Sequence, residues 1–219
     1  MRNKHFVIMA VCLLTGLGVL AAGGSLRAKP QDNLANRPPV YDPQTKSYFQ
    51  LRMDNRAGYW KAAKELAEEQ IFYGVQGRLA VVDSEQTHHF LLMNFNKIKQ
   101  ETWIGMYYDC ASRKLFWSTG APVSRSNFSI WHAQWYRNPH IICSNGGLRG
   151  YGASDQFMPV YYTPLKNGFR WQASGPGKGF ESYFVEFPTG GPVTPQDKKK
   201  YGGAAKPAAK AEAAPVTRP

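Results

Sequence analysis

"ETWIGMYYDCASRKLFWSTG", residues 101–120, holds a Trp-Ile-Gly run, a cysteine and a second aromatic cluster that ends in a turn signal. Large apolar residues over 102–108 and again over 114–117 predict two strands, with Cys110 in the turn between them. Trp103, Ile104, Phe116 and Trp117 are bulky side chains on those strands. Burying each contributes roughly 2 kcal/mol, so the stretch reads as the core of a fold and not as a ligand site.

Working outward, "YFQLRM" (48–53) alternates as a strand does. In "AGYWKAAKELAEEQ" (57–70), Trp60, Ala63 and Ala67, with Tyr59 and Ala62 a turn before, fall at helical spacing, and Lys64, Glu65, Glu68 and Glu69 lie outside them. That pattern predicts an amphipathic helix ended by Gly74 and Gly77. "RLAVVDSEQTHHFLLMNF" (78–95) predicts a short apolar strand, an Asp83-Ser84 cap and a second helix. Downstream, 121–160 is a long stretch rich in Ser, Asn, Pro, Gly and Trp, and loops of that length tend to carry function. "NGFRWQAS" and "ESYFVEFP" then read as a closing hairpin joined through "GPGKG". Two helices, several short strands and one long loop make an α+β domain.

The ends differ in composition from the middle. Arg2, Lys4 and His5 precede an apolar run from Phe6 to Ala22 and small residues at 21–25, the pattern of an export signal over residues 1–28; an uncleaved membrane anchor is the alternative. Residues 29–46 are Pro- and Asn-rich and read as an extended lead-in. Residues 189–219 are Ala, Lys, Pro and Gly with almost no bulky apolar residue, a composition that predicts a disordered tail. The folding segment is therefore 47–188. With the signal removed, Cys110 and Cys143 remain as an even pair in an oxidising compartment, which predicts one disulfide; two separate buried thiols are the other possibility.

Formal net charge is +12, much of it in the two ends. Nucleic-acid binding requires basic residues clustered on one face with aromatics between them, and the folding segment is only mildly basic. For an exported chain, anionic envelope polymers are the more available partners of a basic tail. Catalysis finds no support: paired carboxylates, a Ser-His-Asp order at a nucleophile elbow and a phosphate loop are all missing, and "GGLRGYG" (146–152) lacks the flanking strand and helix such a loop requires. His88 and His89 are neighbours on a helix and cannot face one ligand together. His132 and His140 could meet in the loop, but two further metal ligands are missing.

The order of these segments resembles the C-type lectin-like family. The matching residues are "YWKAAKELA" for the first helix, "GRLAVVDSEQTHHFL" for the strand and second helix, "WIGM" (103–106) for the family's WIGL motif, "FWSTGAPV" (116–123) and the last strand "YFVEFP". The resemblance implies a C-type lectin-like fold in which the last strand pairs back on the first, with small antiparallel sheets, two helices and a long loop region. It also implies non-catalytic recognition of a glycan or a cell-surface protein, with no cofactor.

Departures from the family pattern bear on calcium. Where calcium-dependent members carry a Glu-Pro-Asn or Gln-Pro-Asp tripeptide, this chain reads Asn138-Pro139-His140 after Arg137; where they carry Trp-Asn-Asp, it reads Trp171-Gln172-Ala173. Calcium takes six to eight oxygen ligands including carboxylates. Asp155 is the only acidic residue between 121 and 180, in the company of Arg137, Arg149 and Arg170. Val185 stands where the last strand commonly has Cys, as in many bacterial relatives. The expectation is therefore glycan binding without calcium or any other metal, through Trp131, Tyr136, Arg137, Asn138, His140, Arg149 and Tyr151. Tyr, Trp and Arg are types enriched at energetically dominant contacts, and aromatic faces can stack on sugar rings. Trp135 and Trp171 are expected in the core, and a Cys110–Cys143 bond would pin the loop to the core hairpin.

Overall fold

The structure is a computed structural model and describes residues 37–124, 128–132, 157–173 and 178–201. All of them lie in the compact unit Asn33–Pro219. Among the described residues the architecture is one eight-stranded sheet, a two-stranded hairpin and three α-helices, in the order β1 (Val40–Asp42), β2 (Ser47–Met53), α1 (Trp60–Glu68), β3 (Ile71–Phe72), β4 (Val75–Gln76), β5 (Arg78–Leu79), α2 (Glu85–Asn94), β6 (Thr102–Asp109), β7 (Lys114–Trp117), β8 (Phe157–Tyr162), β9 (Trp171–Ala173), β10 (Ser182–Phe187) and α3 (Pro195–Tyr201). The main path through the sheet is β1-β2-β10-β6-β8-β9, with β5 attached to β10 and β7 to β6.

β10 organises the sheet because every one of its six residues is buried. It pairs antiparallel with β2 from Ser182↔Met53 to Phe187↔Tyr48, so the last strand does return to the first long one. Its other edge is shared, parallel to β6 at Ser182 and Tyr183 and antiparallel to β5 at Val185 and Glu186. The WIGM run lies on β6. Gly105 is required there by close backbone approach: a Cβ would stand 2.6 Å from the Leu79 carbonyl oxygen and 3.0 Å from that of Ala80.

Alternation along the strands fills both faces of the sheet. On the α1 side, Trp60, Ala63 and Leu66 pack with Trp103, Tyr161, Tyr183 and Val185, and the Trp60 indole N–H donates to the Ile104 carbonyl at 2.7 Å. On the α2 side, Leu91, Phe95 and Ile98 pack with Ile104, Met106, Val160, Tyr162, Phe184 and Trp171. The Ser84 hydroxyl caps α2 by accepting from Thr87 N–H at 3.2 Å.

Four sequence expectations are corrected. The first helix ends at Glu68, with cap Glu69, before either glycine is reached; Gly74 instead takes φ 78° in the β3–β4 turn, a conformation that favours glycine. β9 and β10 do not form a hairpin: β9 is the sheet edge, paired only with β8 among the named strands, because the fully buried β10 belongs in the sheet interior. The stretch expected to be loop through residue 160 already enters β8 at Phe157, and all residues of that strand are buried. Finally, structure extends past both expected boundaries. β1 lies inside the expected lead-in and pairs with β2 through Val40↔Phe49. In the expected disordered tail, α3 is capped reciprocally, Thr194 N–H donating to Asp197 Oδ2 (2.8 Å) and Asp197 N–H to Thr194 Oγ1 (3.2 Å). The Tyr201 ring lies over Gly74, where a Cβ would meet it at 2.6 Å.

Candidate functional site

The long segment after Gly120 is anchored at both ends of its described part. After β7 the chain reverses at Gly120 (φ 84°) and runs back along the strand, Val123 N–H donating to the Leu115 carbonyl at 2.9 Å. It reappears at Phe128–Ile130 and then adds to the sheet edge: Trp171 N–H donates to the Ile130 carbonyl (3.0 Å) and His132 N–H to the Trp171 carbonyl (2.8 Å). This parallel bridge sets Trp131 beside Trp171, and their rings meet edge to face at 5.6 Å.

The floor under this bridge is aromatic. Trp171 is buried and takes the edge of Phe128 at 5.2 Å. Tyr162 and Phe169 stack at 4.0 Å with 3° between their planes. His88 of α2 stacks on both and tilts against Phe128, and its Nδ1 lies 3.0 Å from the Tyr162 hydroxyl. Burial pushes the His88 imidazole down to about 4, with His89 and Arg170 adding repulsion. Burial pushes the Tyr162 phenol well above its ordinary range. At neutral pH the pair is therefore an uncharged imidazole and a protonated phenol inside the core, which suits a rigid platform.

Of the residues expected to bind a ligand, Trp131 lies at this root, half-buried against the α2-side core. Tyr136, Arg137, Asn138, His140, Arg149 and Tyr151 fall outside the described residues, as do Cys143 and Trp135. Cys110 stands half-buried at the β6–β7 turn. Trp171 is buried, as expected. His88 and His89 diverge: His88 turns into the core and His89 is exposed, 3.9 Å from Glu85. Among the described residues, no group of three or more His, Cys, Asp or Glu is placed to hold a metal ion.

Sequence reading missed a polar cleft of about 610 Å³ between the β1–β2 turn, β5 and the start of α2. Glu186, buried on β10, forms its back wall. One carboxylate oxygen accepts from Ser47 Oγ (2.9 Å) and Arg78 Nη2 (2.9 Å), the other from Arg78 Nε (3.1 Å) and Val81 N–H (3.0 Å). The carboxylate is thus fully engaged and ties β2, β5 and β10 together. The signal was one acidic residue in the otherwise apolar run "YFVEF", with Arg78 opening "RLAVV".

The described geometry is a sheet-borne aromatic platform at the root of the long segment. Residues 59–146 match the family model of the lectin C-type domain. Domains of this kind are generally non-catalytic recognition modules. Among solved structures, the chain is similar to the C-type lectin CEL-I from Cucumaria echinata, with 14% identity over 69% of this chain and 96% of that one and a TM-score of 0.46. It is also similar to human lithostathine, with 16% identity over 75% and 98% and a TM-score of 0.47. A third likeness is to the cow CD23 C-type carbohydrate-recognition domain, solved in the presence of a GlcNAc2Man3 oligosaccharide, with 17% identity over 69% and 95% and a TM-score of 0.44. No curated protein matches the chain.

Proposed function

We propose that the chain is an exported, non-catalytic protein that binds carbohydrate through the segment 121–156 without calcium. The observation that carries this reading is the lectin C-type match, which runs from α1 into the long segment as far as residue 146. The root of that segment supports it, because Trp131 is held on a rigid aromatic floor instead of being free to collapse. Calcium independence is supported by composition: one carboxylate, Asp155, among Arg137, Arg149 and Arg170 is a poor donor set for a doubly charged ion. Tyr136, Arg137, Asn138, His140, Arg149 and Tyr151 supply the remaining contacts. The Cys110–Cys143 bond pins the segment, and Cys110 is not a free thiol. Export follows from the Phe6–Ala22 run. A glycan array read with and without a chelator tests the proposal: signal that survives chelation supports it, and signal that vanishes with the metal, or silence in both conditions, counts against it.

A protein-interaction role in a cell-envelope assembly is the second reading. It is favoured by Lys198, Lys199 and Lys200 on α3, which present a basic surface fixed to the domain and suited to anionic envelope polymers or acidic proteins. Pull-down from envelope extract separates the two readings: a partner lost when Tyr136 and Arg137 are changed to Ala favours the protein.

A further inference from the structure

Backbone register lines up four side chains across four strands. Tyr183 of β10 is opposite Arg52 of β2 on one side and Trp103 of β6 on the other, and Trp103 is opposite Tyr161 of β8. Directly paired residues point to the same face of a sheet, so Arg52, Tyr183, Trp103 and Tyr161 form one row on the α1 side.

Trp103 and Tyr183 are both 0% exposed. Yet Trp103 Nε1, Tyr183 Oη and Arg52 Nε are buried without a hydrogen-bond partner among the described residues. Each such orphan costs about 1–3 kcal/mol, and three of the seven buried unpartnered side-chain atoms among the described residues share this row. Arg52 stands beside Tyr183 and shares the charge of Asp54 with Arg56, which holds that carboxylate at 2.7 Å.

The row has a roof made by a single half-buried ring. Phe180 lies 4.5 Å from Trp103 and 4.7 Å from Tyr161, and the Lys178 ammonium stands 6.0 Å above the Tyr161 ring. Two backbone bonds hold the roof: Phe180 N–H to the Gly58 carbonyl (3.0 Å) and Asp54 N–H to the Glu181 carbonyl (2.9 Å). Gly179 seats directly on Gly58, where a Cβ would come within 2.5 Å of the carbonyl oxygen.

The chemistry of the donors selects the ligand. An indole N–H and a guanidinium only donate, and a phenol can donate. Together they call for an acceptor, and two guanidinium groups, Arg52 and Arg56, around the single carboxylate of Asp54 favour an anion. The Phe180 ring marks the place of a flat apolar group against Trp103 and Tyr161. We propose that this row is a binding site for a small planar carboxylate, whose ring replaces that of Phe180 while its carboxylate accepts from Arg52, Tyr183 and Trp103. The site is separate from the long segment and does not rest on glycan binding.

Benzoate is the probe, titrated into the full chain while the indole N–H resonances are followed by NMR at constant ionic strength; the Trp103 signal is the one missing from Trp103→Phe. The expected result is a saturable shift of that signal with benzoate and none with benzyl alcohol, its uncharged counterpart. Removing the competing ring in Phe180→Ala should tighten binding at least threefold, and Arg52→Gln should weaken it at least tenfold. If Arg52→Gln does not fold, Tyr183→Phe serves in its place, with a severalfold loss expected. Saturation seen only in Phe180→Ala, and still dependent on Arg52 or Tyr183, supports the site with Phe180 as its gate. No saturable shift in either wild type or Phe180→Ala overturns the proposal, as does an equal response to benzyl alcohol or a response indifferent to Arg52 and Tyr183.

Discussion

On the α2 side of the sheet, the rings of His88, Tyr162, Phe169 and Trp171 are joined by stacking and by the His88–Tyr162 contact, and the long segment hangs from them through Phe128 and Trp131. On the α1 side, Trp60 is fixed to the Ile104 carbonyl, but Trp103 and Tyr183 end in polar atoms without partners, under a roof of one ring. Both sides contribute apolar burial to stability. They differ in what surrounds their unpartnered polar atoms: Trp171 Nε1 and His132 Nδ1 lie at the root of the long segment, where several rings interlock around Trp171, while the donors of the α1-side row lie under a single ring.

Trp-to-Ala changes on the two sides break this comparison most directly. Trp103→Ala and Trp171→Ala should each cost about 3–5 kcal/mol, read from urea denaturation, because each empties a large buried site. They should part in binding. Trp171→Ala removes the ring that holds Trp131 and Phe128, so glycan binding by the folded fraction should fall at least tenfold, whereas Trp103→Ala should leave it within twofold. Equal losses from both would mean that the two sides are not mechanically distinct.

A smaller effect comes from the strand edge that both sides share. Glu186→Ala removes the acceptor of four donors and leaves Arg78 without its partner, and breaking such a buried pair should cost about 3 kcal/mol. Because Arg78 is one-third exposed and can recover water, Glu186→Gln should recover part of the loss. A thermal melt that does not move would show that the cleft's back wall is not a tie between β2, β5 and β10.

These residues also mark how far the sequence could be read. Trp103, Ile104, Trp117 and the last strand declared themselves by size and alternation, and the Ser84 cap by its place before a periodic run. β8 was hidden because Phe157, Tyr161 and Tyr162 follow a stretch of loop composition and the strand carries Pro159, which argues against a strand when read locally. β9 was misassigned because nearness in sequence suggested a hairpin, whereas the partners are chosen by burial across the sheet. The Arg52–Tyr183–Trp103–Tyr161 row could not be seen at all: it joins residues from four separate segments, and only register brings them together. In the expected binding loop, Trp131 alone falls within the described residues, and the platform beneath it was legible only as scattered aromatics.

Acid sharpens the contrast, because the α2 side carries a titrating group inside its floor. His88 is neutral in the folded protein down to about pH 4, while in the unfolded chain it takes up a proton near its ordinary 6.5. The unfolded state then binds more protons between those values, so the His88 contribution is fully present above pH 6.5, is lost progressively as pH falls toward 4, and changes no further below it. The groups acting on His88 are His89 on α2, Arg170 beside β9 and the Tyr162 hydroxyl of β8. Urea midpoints at pH 7.0, 5.5 and 4.5 should fall steadily in wild type and fall less in His88→Gln, which keeps a hydrogen-bonding group toward Tyr162. Identical slopes would remove His88 from the account.

The smallest expected effect tests whether α2 is positioned by its cap or by its packing. Ser84→Ala deletes the acceptor for Thr87 N–H, and such a change costs about 1 kcal/mol when the helix end depends on it. His88 and Leu91 are buried one and two turns further on, so packing should hold the helix in place and the loss should appear in the denaturation midpoint alone. If glycan binding also weakens, the start of α2 is coupled to the loop root through His88 and Phe128, and the platform is less rigid than its stacked rings imply.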